Sequence, residues 1–446
     1  MYVFIHSTYD GRTRSHTIHH QGSIKTLMSI LLRYDIKDQP VLIIGAGHVG
    51  LRKAKEYRVQ GAKLTILSKT FLEECCDIPC IHDAYAPSYL NGYKLVYAAT
   101  NDPLLNHQIT MDCKAMGILC LSATKGEVGS VLSYEDDNVI IGVSTKGRYP
   151  AINRIMLERF AQVYEEEYAG EMPYLYALRE KLLSILPARK EAYSLLKKLP
   201  VYPVSFLKFL LEAIQKKQAC LLVFHGVKIQ SVLGGEITSF IEALKQQNSA
   251  YAYHFAFLSD MVINTLNQTH MEVLSLEESL SILHACHIEV SLYPMLMQDG
   301  RFHIQIKELL QPYQAKLLTL PFDGQREVVQ LIDIIEQTYS KPHQDLLIVY
   351  HSSTHGAFSK YAAQCKVKKH TRIIQEKQVP FLDSATFTKQ IMIFSLYMLS
   401  GTHMQKDKEA LMKQFHDHDI TMIQKSCLQE PSLQQLLFHK IQAQTG

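Results

Sequence analysis

The sequence predicts an α/β protein built from parallel sheets, and three observations predict it. Short β-branched runs alternate with helical segments from Pro40 onward. A G-x-G-x-x-G glycine pattern sits between the first such run and the helix after it. After a long helical stretch, a second series of strand runs begins near Gln218. Alternation of this kind is the signature of strands joined by crossover helices, because parallel neighbours cannot be connected by a tight turn.

Residues 1–35 hold Asp10-Gly11, a polar stretch from Arg12 to Gln21 and a short apolar run without a clear period, so they read as an N-terminal extension. That stretch offers little to a core, and Met28 is a candidate translation start. Residues 36–150 read as a doubly wound parallel sheet. Its strand signals are VLIIGAG, AKLTILS, KLVYAAT, GILCLSAT and NVIIGVS, with helices expected at about Leu51 to Gln60 and Leu104 to Met116. Residues 151–217 are helical, as INRIMLERFAQVYEEEY and PYLYALREKLLSILP place apolar side chains three and four apart, which suits packing or dimerisation. Residues 218–446 return to α/β with ACLLVFHG, HIEVSLYPML, AKLLTLPF, QDLLIVYHSS and QIMIFSLYML, enough for two related lobes.

At 446 residues the chain exceeds one compact core. Hydrophobic residues are 47% and charged residues 20%, a folded composition. The net charge of +3, from 46 basic and 43 acidic residues, is spread along the chain and excludes a dense nucleic-acid-binding face. No apolar run approaches the ~20 residues of a membrane span, and the start lacks a signal-peptide pattern, so a cytoplasmic location is expected. Nine cysteines without paired spacing are expected to be reduced thiols. Cys75, Cys76, Cys80 and His82 cluster, but no second ligand pair follows at finger-like spacing.

In VLIIGAGHVG, Gly45, Gly47 and Gly50 follow a buried strand and open a helix. The first glycine permits a tight turn, the second lets the backbone approach a pyrophosphate, and the third allows close helix packing, while helix-start N–H groups bind the phosphates. The second strand ends in Ser68-Lys69 without the acidic residue that often grips a ribose, which leaves NAD against NADP open. Asn101-Asp102-Pro103 follows the third strand at the ligand-binding edge, where it serves either a ligand or the next helix as its N-cap.

GAGHVGLRKAKEYRVQGAKLTILS, VYAATNDPLLN and VSTKGRYPAINRIMLERF resemble the N-terminal module of siroheme synthases, which oxidises precorrin-2 to sirohydrochlorin with NAD. The resemblance spans residues 36–215 and implies a homodimer formed through the helical segment. It implies that Gly45, Gly47, His48, Val49 and Gly50 bind NAD, that Ala99, Thr100 and Asn101 lie on the nicotinamide side, and that Thr145 lies close to the tetrapyrrole. One departure stands out. The family has an Asn-Val-x-Asp segment whose aspartate serves catalysis, whereas this chain reads Leu121-Ser122-Ala123-Thr124, and threonine has no pKa suited to a general base.

In the C-terminal half, His351 and His355 directly follow one apolar strand run and His403 follows another. LLVFHG, HFAFLSDMVINTL, YHSSTHGAF and MLSGTH resemble the single-chain anaerobic cobalt chelatases, which are related in fold to ferrochelatases. That resemblance implies a metal set of His351, Glu376 and His403, with His351 also accepting a pyrrole proton. Imidazole and carboxylate hold Co(II) or Fe(II) without a thiolate grip that would prevent transfer. The expectation is therefore consecutive catalysis, precorrin-2 oxidation followed by insertion of a divalent metal into sirohydrochlorin. The alternative is a chelatase whose N-terminal half is a cofactor-binding, dimerising scaffold, and Thr124 favours it.

Overall fold

A computed structural model describes residues 34–72, 78–124, 131–145, 149–186, 188–225, 235–268, 273–297, 300–350, 357–398, 402–423 and 425–445, without the side chains of 150, 268 and 402–407. The N-terminal stretch and the proposed start at Met28 lie outside the described residues. The chain divides into two compact units, residues 1–134 with 141–158, and residues 135–140 with 159–446.

The first unit is organised by a five-stranded sheet in the order β3-β2-β1-β4-β5. Its strands are β1 (Pro40–Ala46), β2 (Lys63–Phe71), β3 (Cys80–Ile81), β4 (Leu95–Ala98) and β5 (Leu119–Ser122), and every pairing is parallel. Alternate side chains of β1 serve opposite faces. Val41 and Ile43 pack with Leu51, Ala54 and Tyr57 of helix α1 (His48–Val59), while Leu42 and Ile44 pack with Ile109 and Cys113 of helix α2 (Pro103–Ala115). Because both faces are covered, β1 carries a continuous apolar run where a half-exposed strand would alternate.

One expected strand departs from this sheet. NVIIGVS contributes β7 (Ile140–Val143), which pairs only with β6 (Leu132–Glu135) in a separate two-stranded sheet. The cause is local turn chemistry: the Asp136 carboxylate accepts N–H bonds from Asn138 and Val139, and the Asp136 N–H reaches the Val139 carbonyl. The fifth place in the main sheet goes to β3, too short to show a period.

Helix α3 (Pro150–Glu167) carries the boundary between the units, and in the second unit α4 (Met172–Ile185), α5 (Arg189–Leu196) and α6 (Val204–Lys216) precede two four-stranded sheets. The first sheet holds β8 (Gln218–Phe224), β9 (Ala252–Phe257), β10 (Glu289–Pro294) and β11 (Lys316–Leu317), in the order β11-β10-β8-β9. The second holds β12 (Asp345–Tyr350), β13 (Thr371–Gln375), β14 (Gln390–Leu396) and β15 (Asp419–Ile423), in the order β13-β12-β14-β15. Read by order of appearance, both sheets follow one path: the first strand is central, the second flanks one side, and the third and fourth flank the other. The expected pair of related lobes is present.

Helix α6 shares a core with the first lobe, where Phe206, Leu207, Leu210 and Ala213 pack against Ala219, Leu221 and Val223 of β8. The final helix of each lobe crosses to the other. Helix α11 (Gln325–Tyr339) follows β11, yet its Glu336 accepts the Lys368 N–H and its Tyr339 stacks on Phe394 of β14. Helix α14 (Pro431–Thr445) follows β15, yet its Phe438 stacks at 4.8 Å on Phe240 of helix α7 (Glu236–Gln247). Tyr251 also donates to the Thr445 carbonyl. Among the described residues no helix is long and apolar enough to cross a membrane.

His254 in β9 makes a testable contribution to stability. It stacks at 4.9 Å on Phe209, and burial, reinforced by Lys245, pushes its pKa down to about 3. The imidazole is neutral when folded and free to protonate near ~6.5 when unfolded, so its contribution is full above that value and is lost as pH falls toward about 3. Urea unfolding across that range should show a loss of about 1.4 kcal/mol per pH unit from this group. His254→Phe should remove that component; an unchanged slope in the variant would refute the assignment.

Candidate functional site

The three glycines of the first unit have separate duties. Gly45 holds φ +109°, and a Cβ there would stand 2.4 Å from the Ala99 carbonyl oxygen. A Cβ at Gly50 would stand 2.0 Å from the Gly45 oxygen. Both positions exclude any side chain on the protein's own account. Gly47 differs: its φ is −80° and nothing lies within 4 Å of its Cβ direction. The protein leaves that space open, as backbone approach by a ligand requires.

Helix α1 starts at His48 beside it, with no side-chain cap and no acidic residue in its first turn. Its leading N–H groups lack intrahelical partners and carry the positive end of the helix dipole, which suits a phosphate. His48 and Val49 are exposed at this edge, while Gly50 is buried beneath it.

The carboxyl end of β4 is held by a residue that sequence reading missed. Asn106, fully buried in α2, accepts the Thr100 N–H at 3.0 Å and the Thr100 hydroxyl at 2.8 Å through Oδ1, and donates through Nδ2 to the Thr100 carbonyl at 3.0 Å. Ala99 is tied to β1 by its N–H to the Ile44 carbonyl at 2.8 Å. Ala99 and Thr100 are thereby fixed at the edge beside Gly45, with Asn101 exposed next to them. Asp102 is the N-cap of α2, accepting from the Leu104 and Leu105 N–H groups, so its carboxylate is spent on the helix. The available signal was an asparagine inside a helical pattern, where its propensity is poor unless its side chain has work elsewhere.

Thr124 is half-buried, its hydroxyl 3.0 Å from that of Ser122, and neither group is ionisable near neutral pH. The Thr145 hydroxyl accepts the Tyr149 N–H at 3.2 Å.

In the second lobe, His351 and His355 lie outside the described residues, and His403 lies in helix α13 (Thr402–Gln414) with its side chain undescribed. Glu376 is half-buried and directly follows β13. Tyr350 pairs in register with Gln375 of β13 and with Leu396 of β14. The three strands that precede His351, Glu376 and His403 in the chain are thus adjacent and end at one level, at the carboxyl edge where open α/β sheets bind ligands.

The first lobe repeats this arrangement with residues that sequence reading left idle. His225 directly follows β8, as His351 directly follows β12. His303 stands near the start of helix α10 (Arg301–Leu310) after β10, as His403 does in α13 after β14. β8 and β10 are parallel neighbours, with Val223 opposite Pro294. The His225 ring lies 3.2 Å, centroid to centroid, from that of Phe302, adjacent to His303 in the chain. Among the described residues its buried Nδ1 has no hydrogen-bond partner, and burial lowers its pKa and keeps it neutral. The His303 Nδ1 is buried as well. The carboxylate is not repeated, since Leu258 follows β9 where Glu376 follows β13. Among the described residues no group of three or more His, Cys, Asp or Glu gathers as a metal cluster. Comparing the two halves for a repeat would have flagged this pair in the sequence.

A protein-family model for NAD(P)-binding proteins matches residues 32–133. The chain is 29% identical over 165 residues to a siroheme synthase of Psychrobacter sp. (strain PRwf-1), covering 35% of this chain and 34% of that protein. It is 32% identical over 133 residues to a siroheme synthase of Ectopseudomonas mendocina (strain ymp), covering 28% and 29%. The chain thus spans about a third of the length of the curated relatives it matches. Among solved structures it is similar to SirC, a precorrin-2 dehydrogenase, at 20% identity and TM-score 0.29, covering 38% of this chain and 89% of that one. It is also similar to SirB from Bacillus subtilis with Fe3+, at 12% identity and TM-score 0.36, covering 51% and 95%.

Proposed function

We propose that the chain is a two-step tetrapyrrole enzyme that oxidises precorrin-2 to sirohydrochlorin with a nicotinamide dinucleotide and inserts Co(II) or Fe(II) into the product. The observation that carries the first step is the open space at Gly47 beside an uncapped helix start, in a region similar in sequence to siroheme synthases. When bound, the nicotinamide accepts a hydride. Gly47, His48, Val49 and Gly50 would hold the phosphates, and Ala99, Thr100 and Asn101, fixed through Asn106, would orient the reacting end.

The second step is supported by the doubled lobes, in each of which a histidine directly follows the first strand in the chain. In this reading His351, Glu376 and His403 hold the incoming ion, and neutral His351 takes a pyrrole proton. A second reading assigns the ion to His225 and His303. It is favoured by the burial of both rings' Nδ1 atoms and by the neutral state that burial imposes on His225, since only neutral imidazole binds metal. The units 36–150, 151–217 and 218–446, and a homodimer formed through the helices, belong to the same proposal.

The full chain incubated with precorrin-2 and dinucleotide, then with each metal separately, tests both steps by tetrapyrrole absorbance. No oxidation but rapid insertion would leave the N-terminal half as a scaffold. Thr124→Asp addresses that outcome. If the missing carboxylate limits oxidation, the variant should oxidise precorrin-2 about a hundredfold faster, at the low end of general-base contributions. An unchanged rate would show that position 124 does not limit the step.

A further inference from the structure

Two cysteines of the first unit meet on the face of the sheet that α2 covers. Cys113 is carried by α2 and Cys120 by β5, and both belong to the core that α2 forms with β1 and β4. Thr110 and Cys113 stand one turn apart on the same face of α2. The Cys120 thiol donates to the Thr110 hydroxyl at 3.8 Å, and the Cys113 thiol is hydrogen-bonded to Cys120, so the two sulfurs are in contact. The turn between them is closed by the Ile118 N–H, which donates to the Cys113 carbonyl at 2.8 Å. Both cysteines are free thiols. A single buried cysteine is ordinarily an inert apolar group, whereas two in contact have a disulfide within reach.

The pair is asymmetric. The bond from Cys113 lowers the pKa of the Cys120 thiol, against the opposing effect of burial, and raises that of Cys113. Cys120 is the readier nucleophile, and it also keeps some exposure, 6% against none for Cys113. The pair is connected to the dinucleotide edge as well. The Thr110 hydroxyl donates to the Asn106 carbonyl at 2.9 Å, and the Asn106 side chain grips Thr100 at the end of β4. Hydrogen bonds thus run from Cys113 through Cys120 and Thr110 to the residue that fixes Thr100.

We propose that Cys113 and Cys120 form a peroxide-responsive thiol pair that closes to a disulfide and thereby weakens dinucleotide binding. Hydrogen peroxide, the oxidant, is small enough to reach a sulfur of such low exposure. The Cys120 sulfur attacks one peroxide oxygen and becomes a sulfenic acid, and the expelled hydroxide takes the Cys120 proton to form water. The Cys113 sulfur then attacks the Cys120 sulfur, and its proton leaves with the displaced hydroxide as a second water. Two thiols and one peroxide give one disulfide and two waters. The new bond removes both thiol hydrogens, so Cys120 no longer donates to Thr110, and it draws α2, with its Asn106 clamp, toward β5. The inference rests on the reading of Gly45–Gly50 as the pyrophosphate turn for its readout alone.

The full chain, reduced and then treated with hydrogen peroxide, is digested with trypsin, which cuts after Lys114 and so separates the two cysteines. Peptides 95–114 and 115–125 should travel as one species, lighter than their sum by two hydrogens, and come apart under a phosphine reductant. Calorimetric titration with NAD+ and NADP+ should show the affinity of the tighter one falling about tenfold on oxidation, within the ordinary range of coupling between sites, and returning on reduction. Cys113→Ala, which leaves Cys120 and its bond to Thr110 in place, should bind dinucleotide as the reduced wild type does and ignore peroxide. The wild-type measurements stand without that variant. Absence of the joined peptide, a joined peptide with unchanged affinity, or a peroxide effect that persists in Cys113→Ala would each overturn the switch and leave the pyrophosphate turn intact. Failure of the reduced protein to bind either dinucleotide would overturn the turn itself, and the switch with it.

Discussion

Gly47→Asp should abolish dinucleotide binding, with an affinity loss of at least a hundredfold, while the chain folds and inserts metal as before. The fold should tolerate the change because position 47 has an ordinary φ of −80° and no atom within 4 Å of the new Cβ. The ligand should not tolerate it, because the carboxylate would occupy the approach to the pyrophosphate and place a negative charge against it at the helix start. A hundredfold loss corresponds to about 2.7 kcal/mol, modest for steric exclusion combined with charge repulsion. Gly45→Ala and Gly50→Ala provide the contrast. Their added methyls would meet backbone oxygens at 2.4 and 2.0 Å, so both should lower the melting temperature even without ligand. Titration and thermal unfolding separate the two classes; unchanged affinity in Gly47→Asp would remove the phosphate role from the turn.

The sequence made this site legible because its constraints are local. A buried parallel strand must be apolar on both faces, a turn at φ +109° must be glycine, and a helix beside a phosphate must leave its start uncapped. Those requirements appear within eleven residues, Pro40 to Gly50. Asn106 was harder to see, since its partner Thr100 becomes its partner only once α2 folds back on β4. NVIIGVS was misplaced for a related reason. Its run of apolar residues is real, but the Asp136 turn pairs it locally before the main sheet can recruit it. In the C-terminal half both lobes were anticipated, yet His225 and His303 were passed over. Their meaning depends on β8 and β10 being neighbours, which no single segment reveals.

Alanine substitution of the four edge histidines should give the largest effect on metal insertion and decide which lobe performs it. His351→Ala and His403→Ala are each expected to reduce insertion at least a hundredfold without altering dinucleotide binding, because each leaves the ion under-coordinated and the first also deletes the proton acceptor. His355→Ala, four residues further along the chain, should be milder. His225→Ala and His303→Ala should retain insertion under this reading. Loss of insertion in those two, with retention in His351→Ala, would transfer the metal to the first lobe. The pH dependence gives an independent reading of the same question. An imidazole of ordinary pKa protonates near ~6.5 and then neither binds metal nor takes a proton, so a rate that depends on it falls as pH drops through that value. Burial depresses the pKa of His225, which therefore stays neutral to lower pH. A rate that falls near ~6.5 fits histidines of ordinary pKa, whereas a rate that persists below it and disappears in His225→Ala belongs to the site at the end of β8. Insertion measured across pH in the wild type and these variants thus tests ligand identity and protonation state together, since a histidine that holds the ion must be neutral to hold it.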